Sequence, residues 1–400
     1  MQKKKRDLSN RILYFVNYCL TPHEYIENAG ILCEGETILA IGGASAFTKE
    51  EGLTVIELPN AYAVPGFIDT HIHGAGGFDS SAAAKFSKNF EMMCKVLASH
   101  GTTSFLPTIV SEGHSKMLET ISTLADLLDQ NYEGAEAVGI HVEGPFINSN
   151  KRGAQKEAFI RKIDLGEAKE LVQAGRGKIK IMTFAPELEN AVKLVELLCE
   201  NNIKPSMGHS IASEQQVLDA INAGATRCTH LFNGMPQLHQ RKIGLTALAL
   251  VDNRVDVEII LDGTLIHPRM IELACRTKPN HRIIGISDAV EGMGLSDGTY
   301  HLGKSEIQVT NGKVTTIEGV LAGTIQSLEK GWQHLVEASH MSRNAAAACL
   351  SINPAKSIGL ENRGELKPRK FADIAFFDIE SHKVILTVSK GSIVYDANKQ

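Results

Sequence analysis

Between residues 67 and 287 the chain alternates short apolar runs with stretches of helical periodicity. The runs lie at 67–73, 102–108, 137–141, 179–185, 204–208, 225–231, 255–261 and 282–287. Each has the length of a buried strand, and helical patterns separate most of them. Residues 90–100 and 215–223 are the clearest helices, with apolar side chains recurring at three and four. A strand that returns through a helix pairs parallel to its predecessor. Eight such units predict an α/β fold of the (β/α)8, TIM-like barrel type, with function carried at the C-terminal strand ends. A doubly wound open sheet is the competing architecture. No Gly-x-Gly-x-x-Gly follows a strand, so nothing supports dinucleotide binding.

The flanks read differently. Residues 25–33, 37–43 and 54–58, and again 372–378, 383–388 and 391–395, are short segments bounded by turn residues, as in antiparallel sheets. Residues 1–62 and 368–400 are therefore expected to supply the two parts of a small β-sandwich, and residues 63–367 the barrel. The length of 400 residues suits one large barrel with such an accessory domain. A net charge of −5 gives no electrostatic reason to expect nucleic acid or an anionic membrane as partner. The basic start, residues 1–6, has the charge of a signal peptide but lacks the apolar segment after it. No run reaches the roughly 18 apolar residues of a membrane span. The seven cysteines are scattered, with no Cys-x-x-Cys, which favours reduced thiols and a cytoplasmic setting.

Polar residues cluster where the strands should end. The first run closes with His71-Ile72-His73, and side chains two apart on a strand share a side. The third closes with His141-Val142-Glu143, the fifth with His209, the sixth with His230 and the eighth with Asp288. Taken singly, a strand-end histidine is commonly a hydrogen-bonded structural residue, and Asp288 could be a helix cap. Together, His71, His73, His209 and His230 with Glu143 and Asp288 give an imidazole and carboxylate set. Such a set suits a divalent metal, with zinc, iron, manganese and cobalt all acceptable.

The same segments carry a resemblance. Pro65-Gly66-Phe67-Ile68-Asp69-Thr70-His71-Ile72-His73-Gly74, His141-Val142-Glu143-Gly144-Pro145-Phe146, Gly208-His209-Ser210, Thr229-His230-Leu231-Phe232-Asn233-Gly234-Met235, Ser287-Asp288-Ala289, Leu321-Ala322-Gly323-Thr324 and Asn353-Pro354-Ala355 occur in the order of one family. The chain resembles the amidohydrolase superfamily and, within it, the N-acetylglucosamine-6-phosphate deacetylases. The resemblance implies that Glu143, His209 and His230 bind the principal catalytic metal. It also implies a second metal at His71 and His73, with Glu143 bridging. The expected reaction is hydrolysis of the N-acetyl group, with Asp288 as the acid/base. Arg241 matches the family's phosphate-binding arginine, which can come from the other subunit of a homodimer. The backbone at Asn233 and Gly234 would lie near the same substrate, Leu321, Ala322 and Gly323 match a loop that contacts the sugar, and Ala154 matches a further contact.

Two positions depart from the pattern. Family members commonly carry a phosphate-binding histidine where this chain has Leu265; His267 lies two residues on and is the candidate substitute. Some carry a carbonyl-polarising histidine where this chain has Gln155. N-acetylgalactosamine 6-phosphate, or an unphosphorylated N-acetyl compound, thus remains an alternative substrate. A cyclic-amide hydrolase would commonly use a bridging carboxylated lysine, and Glu143 stands there instead. A barrel that had lost its chemistry would be expected to have lost ligands.

Overall fold

The computed structural model of the chain describes residues 10–21 and 24–399. The basic stretch at residues 1–6 lies outside them. The eight expected strands are present: β1 Phe67–Ile72, β2 Thr102–Val110, β3 Ile140–Glu143, β4 Ile179–Phe184, β5 Lys204–Met207, β6 Arg227–Cys228, β7 Asp256–Ile260 and β8 Ile283–Ile286. Neighbours pair in parallel in the order of the chain, from β1 through to β8. β1, β2, β3 and β8 are buried along their whole length, which is why they read as continuous apolar runs. Each strand is followed by at least one helix, beginning with Phe90–Ser99 after β1 and ending with Leu328–Ser339 after β8. The open sheet is excluded by the far edges, which meet. The Asp288 N–H donates to the His71 carbonyl at 3.0 Å, and the Ser287 N–H donates to Asp69 Oδ1 at 3.3 Å.

Both termini join a second sheet of seven strands. Its order is Ser392–Asp396, Val384–Ser389, Ile374–Asp378, Thr54–Pro65, Arg11–Leu20, Tyr25–Glu34, Thr37–Gly43. The seam is antiparallel, with Ile374 opposite Pro65 and Phe377 opposite Tyr62. Tyr14, Ile31, Ile38, Phe376 and Val388 form its own apolar core. Trp332 packs near Tyr62, Phe67 and Phe377, where this sheet meets the barrel.

One element was not anticipated. Between β8 and its helix, Gly298–Leu302, Ser305–Thr310 and Lys313–Thr316 form a three-stranded antiparallel sheet. Leu302, Ile307, Val309 and Val314 bury one face against Val110, Val290 and Ala322 near the mouth of the barrel.

A buried arginine ties the two main sheets together. Arg363 donates to Ser104 Oγ of β2 at 2.9 Å and to Asp373 Oδ2 at 2.7 Å, and pairs with Glu136. The Asp373 carbonyl accepts from Gly66, just before β1. Arg363→Met would leave the Asp373 carboxylate buried without its charge partner, a loss of about 3–5 kcal/mol. The expected readout is a lower urea midpoint, partly restored by Asp373→Asn in the same chain; an unchanged midpoint would refute the role.

Candidate metal centre

The strand ends converge on one point because the chain turns sharply there. His209, His230 and Asp288 hold φ angles of 47°, 28° and 50°, in the left-handed region that side chains with a Cβ rarely occupy. Such conformations cost of order 1–3 kcal/mol each and persist where surrounding structure enforces them. They follow β5, β6 and β8 directly. On β1 the two-residue spacing turns His71 and His73 to the same side. The His73 and Gly74 N–H groups donate to the Ala289 carbonyl at 2.8 and 3.0 Å. A Cβ on Gly74 would lie 2.2 Å from the Phe78 carbonyl oxygen and 2.8 Å from the Glu291 nitrogen, so only glycine lets β1 close against the turn after Asp288.

Glu143, at the end of β3, is the hub. Its Oε1 lies 3.1 Å from His209 Nε2, 3.0 Å from His230 Nε2 and 3.4 Å from His71 Nε2; its Oε2 lies 3.6 Å from His73 Nε2. Asp288 Oδ1 lies 3.2 Å from His73 Nε2 and 3.4 Å from His71 Nε2. All six side chains are buried. Burial alone would raise the Glu143 carboxyl, but the facing imidazoles of His209 and His71, and hydrogen bonds from His209 and His230, hold it well below the usual carboxylate range. His209 responds in the opposite sense: burial disfavours its charge, and Glu143 outweighs that and raises its pKa.

The donors fit a divalent cation. Glu143, His209 and His230 form one group of mutually close ligand atoms, and His71, His73 and Asp288 form another. His209 Nε2 and His230 Nε2 face each other at 3.0 Å, and His71 Nε2 is buried without a hydrogen bond. Two of the outward ring nitrogens are committed elsewhere: His209 Nδ1 faces the Lys151 carbonyl at 2.7 Å and His73 Nδ1 the Thr108 carbonyl at 3.2 Å, whereas His230 Nδ1 is buried without a partner. In the neutral ring a carbonyl partner keeps the hydrogen on Nδ1 and so leaves Nε2 to an ion. His141, two residues before Glu143, is bound to Thr183 Oγ1 at 2.8 Å inside the barrel; its ring packs edge-on against His71 at 4.5 Å, on the Glu258 side and away from the cavity.

A cavity of about 280 Å³ opens beside these residues. His73, Glu143, His209, His230 and Asp288 line it, and so do Ala154, Asn233, Gly234, Leu321, Ala322 and Gly323. The unanticipated three-stranded sheet contributes Leu302 and the segment after it Val320. Gly323 has φ 76°, and a Cβ there would meet the Asp288 carbonyl oxygen at 2.7 Å. Two expected residues lie elsewhere. Arg241 sits on an exposed loop, and His267 is exposed and caps the helix Pro268–Thr277 by accepting from the Arg269 N–H. Leu265 itself lines the cavity. Gln155 is not a free donor for substrate: its Nε2 donates to Glu143 Oε2 at 3.0 Å while its Oε1 accepts from the Ser111 N–H at 2.9 Å.

Sequence reasoning passed over Arg152, which, among the described residues, is the one lysine or arginine along the cavity wall. Its place between Lys151, whose carbonyl holds His209, and Gly153-Ala154 was the available signal. The buried Arg227–Glu258 pair below His71 was also missed, since nothing in a strand sequence shows which layer of a barrel a side chain enters.

A cation that binds the folded centre and not the unfolded chain stabilises the protein by about 2.7 kcal/mol at a hundredfold excess over its Kd. Zinc or cobalt should therefore raise the melting temperature of chelator-treated protein. His209→Ala should abolish most of that rise; an equal rise in the variant would rule out this ligand set.

The sequence profile of the amidohydrolase family matches residues 62–397. An N-acetylglucosamine-6-phosphate deacetylase of Bacillus subtilis (strain 168) is 33% identical over 381 residues, covering 94% of this chain and 95% of the relative. An N-acetylgalactosamine-6-phosphate deacetylase of Escherichia coli O157:H7 is 32% identical, covering 85% and 90%. Among solved structures, an N-acetyl-D-glucosamine-6-phosphate deacetylase variant of Mycobacterium smegmatis in complex with N-acetyl-D-glucosamine-6-phosphate superposes with a TM-score of 0.89 at 29% identity, over 96% of this chain and 99% of that one. With a barrel closed through β8 and β1 and this ligand set at its mouth, the chain belongs to the amidohydrolase family.

Proposed function

We propose that this protein is a metal-dependent deacetylase that hydrolyses N-acetylglucosamine 6-phosphate to glucosamine 6-phosphate and acetate. The observation that carries the reading is the placement of Asp288 on the wall of the same cavity as Glu143, His209 and His230. Relatives named for this reaction, at about a third identity over nearly the whole chain, support the substrate class.

A bound divalent ion supplies two things, a water acidified to a pKa near 7 and a polarised carbonyl. Glu143, His209 and His230 would hold the principal ion, and His71 and His73 a second, with zinc, iron, manganese and cobalt all compatible with the donors. Gln155 fixes the Glu143 carboxylate from the side away from His209. Asp288 accepts the proton of the attacking water at its carboxylate and returns it to the departing nitrogen, so that the amine leaves neutral. Asn233 Nδ2 is buried and lacks a hydrogen-bond partner, so its N–H is available to a substrate oxygen. Leu302, Leu321 and Ala322 form an apolar wall that limits water around the reacting bond. Arg152 supplies positive charge at the cavity wall for the 6-phosphate.

The Arg241 loop, with Leu238 and Ile243 exposed beside it, is read as facing a second copy of the chain, which fits a homodimer. All seven cysteines are free thiols, which supports a reducing, cytoplasmic setting. No helix among the described residues is long and apolar enough to cross a membrane. A second reading, N-acetylgalactosamine 6-phosphate as substrate, is favoured by Leu265, which lines the cavity where the resemblance leads one to expect histidine.

Asp288→Asn should keep its metal and lose about 10²- to 10⁴-fold in kcat; near-normal turnover would remove Asp288 from the chemistry. A phosphate-directed site should prefer the phosphorylated sugar in kcat/KM. A lost charged hydrogen bond costs about 1.5–3 kcal/mol. Arg152→Met should thus lower kcat/KM for the phosphorylated sugar about 10- to 100-fold and leave the unphosphorylated one unchanged. Equal wild-type kcat/KM for both sugars would refute the phosphate preference. The same assay with the galactosamine epimer decides between the two readings.

A further inference from the structure

His71 differs from the other ring-oriented histidines of the centre in what holds it. His209 and His73 turn their Nδ1 atoms to backbone carbonyls. His71 Nδ1 instead meets a carboxylate, Glu258 Oε2 on β7, at 2.9 Å. The same oxygen accepts the His230 backbone N–H at 3.1 Å, and Glu258 Oε1 accepts from Arg227 Nε at 2.7 Å. Glu258 and Arg227 are wholly buried and lie outside the cavity lining. Arg227 is itself anchored, through Ser357 Oγ at 2.7 Å and through Thr70.

An ionised carboxylate only accepts hydrogen bonds. The hydrogen of a neutral His71 ring must therefore sit on Nδ1, and the lone pair on Nε2. That lone pair points at Glu143 Oε1 and Asp288 Oδ1, each 3.4 Å away. A divalent cation among these three atoms would take that lone pair in place of a second ring proton. Carboxylate partners also raise the basicity of a ligating imidazole, and losing one costs about 10- to 100-fold in metal affinity.

We propose that Glu258 is the positioning residue of the second metal site: it holds His71 in the tautomer that can ligate, and so sets whether the protein carries one divalent ion or two. This rests on the reading of the centre as a metal site. Arg227 makes the effect specific. In Glu258→Gln the guanidinium still requires an acceptor, so the amide oxygen stays on Arg227 and the NH2 turns to His71. Donating to Nδ1, that NH2 moves the ring hydrogen to Nε2, which then cannot ligate. Removing Arg227 as well frees the amide oxygen to turn back to His71 Nδ1–H and the His230 N–H.

The test counts cobalt bound to the chelator-stripped full chain by equilibrium dialysis and elemental analysis. Wild type should bind two equivalents. At the same free cobalt, Glu258→Gln should bind one, and regain the second only at about 10- to 100-fold higher cobalt. Arg227→Met in the Glu258→Gln chain should recover the second equivalent, which a merely structural role of Glu258 would not allow. Nitrogen-15 NMR of zinc-loaded wild type provides a readout independent of variant folding, and should show His71 protonated at Nδ1. Two equivalents at wild-type affinity in Glu258→Gln, or an Nε2–H tautomer in wild type, would overturn the proposal. Wild type that binds one equivalent overturns it while leaving a one-metal deacetylase standing. Wild type that binds none overturns the metal reading as well.

Discussion

The buried carboxylate of Glu143 is the constraint on which the site depends. An ionised group out of water is tolerated only when paired and hydrogen-bonded. Here the pairing comes from imidazoles on separate elements: His71 and His73 on and just beyond β1, His209 after β5 and His230 after β6, with the Gln155 amide completing the shell. None of these partners is near Glu143 in sequence, apart from Gln155. The centre therefore exists only when the barrel is closed, and closure passes through the centre's own residues, since the Asp288 N–H bonds the His71 carbonyl.

Around the hub, a second layer fixes which nitrogen faces inward. The Lys151 and Thr108 carbonyls and the Glu258 carboxylate each take one ring nitrogen of a histidine. Glu258 in turn is kept ionised: burial opposes its charge, but Arg227 and His71 outweigh that and hold its carboxyl far below the usual range. The strained φ angles of His209, His230 and Asp288 belong to the same design. Backbone strain and buried charge are concentrated where chemistry needs side chains aimed across the mouth of a rigid scaffold.

Much of this was legible in the sequence, because parallel strands buried on both faces leave continuous apolar runs and period two forces His71 and His73 to one side. What was not legible has physical causes. The sheet at residues 298–316 is built from short half-exposed strands whose apolar residues make sense only against Val110 and Val290. Gln155 reads as a substrate donor until its amide is seen to be shared between Glu143 and the Ser111 N–H. His267 looks like a shifted phosphate ligand, yet the Pro268 that follows starts a helix, and its imidazole becomes that helix's cap. His141 and Glu143 share a side of β3, but the strand's rise places His141 one layer deeper, among threonines.

By itself the sequence determined the barrel class, the participation of both termini in a second sheet, and which histidines and carboxylates stand at the strand ends, since periodicity and residue type are local properties. Tertiary structure alone decided which of those side chains share an oxygen of Glu143, which cation faces the cavity and which carboxylate stands behind His71. Those are contacts between residues many tens of positions apart, set by strand order, register and depth within the barrel, and no local pattern encodes them.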